Sequence, residues 1–234
     1  MFHNLQEEDY PRRAEAKCAE LIDQIESANL INRILFSDKA TFHTCGTVNR
    51  HNCRIWTDEK PPNFLECEQD TPKVNVWLGM TQSKMYGPFF FAEVTVTGPV
   101  HLDMIEQFLE HQLLTDGILV IVVFQQEGAL CHYAIIERDC LDRRFPGRWI
   151  GRGGTQPWAA HSSDLTPLYF FAWGFTKSKV YTGRRIGDLA EIRNRTIDAV
   201  QKITPLMLES VFWETIYHFE ICRVNDGRHV ETNK

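Results

Sequence analysis

The segment Ile118-Leu119-Val120-Ile121-Val122-Val123-Phe124 is apolar at every position. Such a run, rich in β-branched residues and preceded by the turn pair Asp116-Gly117, predicts a strand over 118–124 buried on both faces. A strand of that kind needs helices on both sides of its sheet, which confines the chain to an α/β arrangement. A second apolar run, Ile34-Leu35-Phe36, predicts a strand over 33–38. One acid follows each run closely, Asp38 after the first and Glu127 after the second.

The remaining periodicities fill in the layers. Ala14, Cys18, Leu21, Ile22 and Ile25 predict an amphipathic helix over 11–27. Strands are expected over 47–56, 74–80 and 86–96, then a helix through Leu102, Ile105, Phe108 and Leu109 to about 114. A helix over 131–145 is broken by Pro146-Gly147, and 148–150 is a short last strand. Thr166-Pro167 predicts a helix start with Thr as N-cap and Pro at the first helical position. Ile186, Leu189, Ile192, Ile197 and Val200 mark another helix. Thr204-Pro205 caps a final one through about 222. An antiparallel meander followed by strand–helix units gives a mixed sheet covered by helices.

A chain of 234 residues, 43% of them hydrophobic, fits one large domain. Its expected parts are an N-terminal helix (1–28) packed on a core (29–185), with C-terminal helices (186–234) of the same domain. No run of about eighteen apolar residues exists, so no membrane span is expected. The acidic N-terminus lacks a signal core, which argues against secretion. Seven cysteines without a C-x-x-C pair argue for reduced thiols rather than a disulfide frame or zinc site.

Ile34-Leu35-Phe36-Ser37-Asp38-Lys39-Ala40-Thr41-Phe42 resembles the first-acid motif of mariner-superfamily DNA transposases. His51-Asn52-Cys53-Arg54-Ile55-Trp56 and Lys73-Val74-Asn75-Val76-Trp77 resemble the two strands that follow it. Phe124-Gln125-Gln126-Glu127-Gly128-Ala129, with Cys131-His132, is similar to the second-acid motif, which normally carries Asp. Ser163-Asp164-Leu165-Thr166-Pro167-Leu168-Tyr169 resembles the third, which normally has Asp or Glu where Tyr169 stands. The segments are collinear from about residue 10 to about residue 223. The resemblance implies a ribonuclease-H-like α/β fold, a mixed five-stranded sheet flanked by helices. It implies a transposase catalytic domain that cleaves DNA and transfers strands with Mg²⁺ or Mn²⁺, with nuclear localisation, although no dense basic import signal is present. The pattern starts within the first dozen residues, so a chain lacking the N-terminal DNA-binding region is expected.

Phosphodiester cleavage by two metal ions needs carboxylates from several elements aimed at one point. Asp38 and Glu127 are the expected metal ligands, and Asp38, Glu127 and Asp164 the candidate catalytic acids. Glu127 is one methylene longer than Asp, and Mg²⁺ demands near-ideal octahedral geometry. Tyr169, at the third-acid position, carries a phenol that stays protonated near neutral pH. With Thr166 as N-cap it also stands where an acid would complete a capping box. Asp164 is the one substitute acid, or else a loop cap. Metal binding is therefore expected to be impaired.

Arg143, Arg144, Arg148 and Arg152, then Lys177, Lys179, Arg184 and Arg185, flank the third motif. They form either a phosphate-tracking rim or a solvated surface. The formal net charge of −6 opposes DNA affinity elsewhere on the molecule. Three readings stand open: a residual metal nuclease, a relic without activity, or an inactive derivative that binds nucleic acid or an intact related transposase. Expected partners are DNA and such a transposase, or a second copy of the chain.

Overall fold

The computed structural model of the chain describes residues 9–13, 20–28, 30–46, 71–127, 134–154, 156–158, 162–183 and 185–230. The expected strand over 47–56 and the positions Gly128, Ala129, Cys131, His132 and Arg184 lie outside the described residues. Two short helices, α1 (Asp9–Arg13) and α2 (Glu20–Ala28), precede β1 (Ile34–His43), β2 (Lys73–Met80) and β3 (Met85–Phe90). Helix α3 (Gly98–Met104) runs through a π-helical turn, Ile105–Leu109, into α4 (Glu110–Thr115). Then come β4 (Val123–Gln126), α5 (Ile135–Arg144) and β5 (Trp149–Ile150). A second π-helical turn, Leu168–Ala172, leads into α6 (Trp173–Val180), followed by α7 (Leu189–Gln201) and α8 (Pro205–Val224).

The sheet order is β3-β2-β1-β4-β5. β1, β2 and β3 pair antiparallel, whereas β4 pairs parallel with both β1 and β5. Among the described residues the sheet is mixed and five-stranded, as expected. Period-two alternation splits the core between its faces. Ile34, Phe36, Ala40 and Phe42 join Trp173, Val200, Phe212 and Phe219 under α6, α7 and α8. Leu35, Trp77 and Phe124 join Met104, Leu109, Leu141 and Trp149 under α3, α4 and α5. Leu21 and Ile22 of α2 belong to the first of these clusters.

Several sequence expectations need correcting. The run 118–124 is not one strand. Gly117 takes a left-handed φ of +70°, and the Ile118 N–H donates to Leu113 O at 3.0 Å, closing α4. Residues 118–122 then form a tight turn, in which Val122 N donates to Ile118 O. Val120 and Ile121 are exposed, and β4 begins only at Val123. Helix closure consumed the first half of the run. Arg148 holds this turn by donating to Leu119 O and Val122 O at 3.1 and 2.7 Å. β1 does not end at Asp38 but runs on to His43, because its pairing with β2 continues from Lys39↔Trp77 to His43↔Lys73. β3 stops at Phe90 rather than 96. Cys45 is in a disulfide, whereas Cys140 and Cys222 are buried thiols. Scatter along the sequence did not report proximity in space.

The third motif is fastened from both directions along the chain. Asp164 accepts from Arg13 Nη1 and Nη2 at 3.0 and 2.6 Å and from the Val230 N–H at 2.9 Å. His229 Nδ1 lies 3.3 Å from the same carboxylate. Arg13 also donates to Gly227 O and Ser162 Oγ. Burial alone would raise the Asp164 pKa; His229, Arg13 and the Val230 N–H outweigh it and hold it down at about 2, below the usual 3.8. The stability this carboxylate contributes is present above pH 3.8 and is lost as pH falls through about 2. Arg13→Ala strips both guanidinium hydrogen bonds from a buried carboxylate and leaves it only His229 and the Val230 N–H, so it should cost about 3–5 kcal/mol in urea unfolding at neutral pH. A loss within a few tenths of a kcal/mol would show that the pair holds nothing together.

Candidate metal centre

Parallel pairing of β1 with β4 sets Phe36 across from Gln125 and Ser37 across from Gln126. The next residue on each strand is an acid, Asp38 on β1 and Glu127 just past β4. Both side chains leave the same face as Phe36, towards α6. β4 stops pairing at Gln126 while β1 continues, so the two carboxylates meet where the sheet loses one neighbour. Asp38 is 8% exposed.

The third element supplies the surroundings. Trp173 Nε1 donates to Asp38 Oδ2 at 2.8 Å. Thr166 Oγ1 donates to Glu127 Oε1 at 3.0 Å, and Ser162 O lies 3.3 Å from the same hydroxyl. Thr166 was expected to cap the helix; its backbone is extended, its hydroxyl serves Glu127, and Pro167 opens the helical turn without a side-chain cap. Its carbonyl still accepts from the Tyr169 and Phe170 N–H groups.

Electrostatics tie these groups together. Burial raises the Asp38 pKa to about 6 against the opposing pull of the Trp173 hydrogen bond and of Lys39 and Lys177. Glu127 is pushed up to about 8 by burial and then by the Asp38 charge. Burial and the charges of Glu127 and Asp38 push the Tyr169 phenol to about 12. Tyr169 therefore stands beside the acid pair as a neutral phenol.

Asp164 does not join this group as a free acid, since Arg13, His229 and Val230 take up its two oxygens. Among the described residues no cluster of three metal-binding side chains forms. Sequence reasoning missed Trp173 as the Asp38 donor and placed Lys177 on a surface rim. Lys177 is 3% exposed, with its ammonium 5.4 Å from the Phe42 ring centre and its charge acting on Asp38. A signal was available: Tyr169, Trp173 and Lys177 recur every four residues, which is one helix face.

The basic clusters divide. Arg143, Arg152, Lys179 and Arg185 are exposed. Arg144 pairs with Glu110 at 2.9 Å, and Arg148 is spent on the turn before β4.

A mixed sheet in this order, with one acid on β1, another just past the adjacent β4 and helices on both faces, is a ribonuclease-H-like fold. The particular likeness is to Mos1 transposase. The Mos1 paired-end complex with the left transposon end superposes with a TM-score of 0.78 at 18% identity, over 98% of this chain and 65% of that one. The Mos1 mariner paired-end complex with Mn gives 0.78 at 17%, over 98% and 65%. The catalytic domain of Mos1 mariner transposase alone gives 0.73 at 17%, over 99% and 100%. The chain thus spans about two thirds of the longer transposase chain and all of the catalytic domain. No family model and no curated protein matches the sequence. At these identities the likeness is one of fold.

The Glu127 carboxyl sets a pH dependence. Its folded pKa, about 8, lies above the ordinary 4.5, so its contribution to stability is full below 4.5 and is lost as pH rises through about 8. Without divalent cations, the melting temperature should fall across that interval. Glu127→Gln should flatten the fall, and parallel slopes in the two proteins would contradict the burial of Glu127 beside Asp38.

Proposed function

We propose that the chain is a transposase-type catalytic domain acting on DNA phosphodiesters, with Asp38 and Glu127 as ligands of a Mg²⁺ or Mn²⁺ ion. The observation that carries this reading is the convergence of two carboxylates on neighbouring parallel strands at one buried point. Two like charges so placed repel each other, and a divalent cation is the group that relieves them. The donor set fits one such ion. It does not fit two, because Tyr169 stands as a neutral phenol and Asp164 is committed to Arg13. A bound cation would activate an attacking hydroxyl and neutralise charge developing on the phosphate.

The chain's own residues would do the positioning. The Trp173 indole fixes the Asp38 carboxylate and the Thr166 hydroxyl orients Glu127. Glu127 holds a proton at neutral pH, and an incoming cation must displace it. Cation binding is then weak, and cleavage by the chain as written falls to background. Localisation in the nucleus belongs to the same reading. Support for metal use comes from the Mos1 complex with Mn, and support for DNA from the complexes with transposon ends.

Isothermal titration with Mn²⁺ tests this. A single weak site is expected, strengthening as pH rises through about 8. Glu127→Asp combined with Tyr169→Asp should add a second site and restore nicking of supercoiled DNA. Tight binding of two ions by the unaltered chain would refute the impairment, and absence of any binding by the double variant would refute the metal centre.

The rival reading is a DNA-contacting fold without catalysis, favoured by Tyr169. Both readings expect weak, sequence-independent binding through Arg143, Arg152, Lys179 and Arg185. Its affinity should fall steeply with salt, with a log–log slope of about −0.9 per phosphate neutralised. Reversing these four charges should abolish it. Binding that ignores salt, or survives the four changes, would reduce them to ordinary solvated surface.

A further inference from the structure

The turn over 118–122, between α4 and β4, is held by arginines from the two strands that flank β4. Arg33, just before β1, donates from Nε to Ile121 O at 2.9 Å. Arg148, just before β5, donates from Nη1 to Leu119 O and Val122 O at 3.1 and 2.7 Å. Bonds to carbonyls fix a guanidinium in place without cancelling its charge. Among the described residues neither arginine pairs with an acid, and the N–H groups on Arg33 Nη1 and Nη2 and on Arg148 Nε and Nη2 have no acceptor. Two like charges therefore stand side by side, bound to the successive carbonyls of Ile121 and Val122. Burial and then the Arg33 charge lower the Arg148 pKa from its ordinary value.

The same turn carries apolar surface. Val120 and Ile121 are 74 and 48% exposed. A protein surface that sets two uncompensated guanidiniums against exposed aliphatic side chains is complementary to one kind of chemistry, an acid with an apolar neighbour. We infer that the 118–122 turn docks a segment of another protein in which a carboxylate stands beside a large apolar side chain. The carboxylate accepts from the remaining N–H groups of Arg33 and Arg148, and the apolar side chain covers Val120 and Ile121.

Several features favour this occupant. The planar guanidinium matches a carboxylate through two parallel hydrogen bonds. Both arginines are already ordered by the turn, so little side-chain freedom is lost on binding. Cover from an apolar side chain excludes water, which strengthens ion pairs that would be weak in the open. A nucleic-acid backbone could satisfy the guanidiniums, but its sugars and phosphates would leave Val120 and Ile121 against polar groups. The turn is also distant from the acid pair. Arg33 precedes Asp38 by five residues along one extended segment, about 16 Å at 3.3 Å per residue. The docking surface therefore stands apart from the metal reading.

Selection of a random peptide display library on the whole chain, in EDTA, tests this. Peptides with aspartate or glutamate next to a large apolar residue should be enriched. A synthetic copy of one of them, titrated calorimetrically, should bind Arg33→Gln and Val120→Glu about tenfold or more weakly, as loss of a central anchor does. Val120→Glu places a carboxylate beside the arginines in the partner's stead. Its melting temperature should match that of the unaltered chain, because Val120 is exposed. Replacing the acids of the peptide by their amides should cost as much affinity as either variant, and binding should weaken as salt rises. No enrichment, enrichment of basic peptides alone, or a peptide whose affinity survives both variants would overturn the proposal. So would displacement of the peptide by duplex DNA, which would make the turn a nucleic-acid contact.

Discussion

The parallel register of β4 on β1 is the constraint on which the rest of the site depends. Side chains alternate faces along a strand, so slipping β4 by one residue would turn Glu127 to the opposite side of the sheet and separate it from Asp38. That register is held by buried groups on both faces, with Val123 beneath one layer of helices and Phe124 beneath the other. Arg148 and Arg33 pin the preceding turn through its carbonyls, so β4 starts from a fixed point. The electrostatic tension at the site is thus sustained by packing that contains almost no charge.

That tension is managed from a single helix face. Trp173 hydrogen-bonds one carboxylate, Lys177 contributes positive charge from within the core, and Tyr169 offers a neutral phenol that feels the charges of both acids. The chain as it stands tolerates two neighbouring acids by protonating one, by hydrogen-bonding the other and by placing a lysine near both. Such an environment suits an acid pair without a cation better than a site of three carboxylates would, since a third negative charge would raise the repulsion further.

Much of this was legible in the sequence, for identifiable reasons. The mixed sheet followed from a meander preceding strand–helix units, and the pairing of Asp38 with Glu127 followed from acids placed after two apolar runs. The cap of α8 was readable because Thr204-Pro205 is a local signal, and the Thr204 hydroxyl does accept from the Met207 N–H. Misreadings came where a residue had two available uses. Thr166 could cap a helix or bind Glu127, and the tertiary partner won. Ile118–Ile121 could extend a strand or close α4, and the glycine at 117 decided for closure. Asp164 could ligate or pair, and nothing near it in sequence announces Arg13, more than 150 residues away. Lys177 read as surface because a lysine in a helix usually is, and only the four-residue recurrence with Tyr169 and Trp173 placed it inside.

The fastening of Asp164 sets an order of events. Its partners are Arg13, near one end of the described chain, and His229 with Val230, near the other. A chain emerging from the ribosome has Asp38, Glu127 and Tyr169 in hand long before it has Val230. Until residues 229 and 230 are made, Asp164 beside Thr166 has only the Arg13 side of its anchorage. The acid pair therefore gains its full set of positioning contacts only once residue 230 has been made, and a nascent chain shorter than that carries the strands of the site without its Asp164 anchorage.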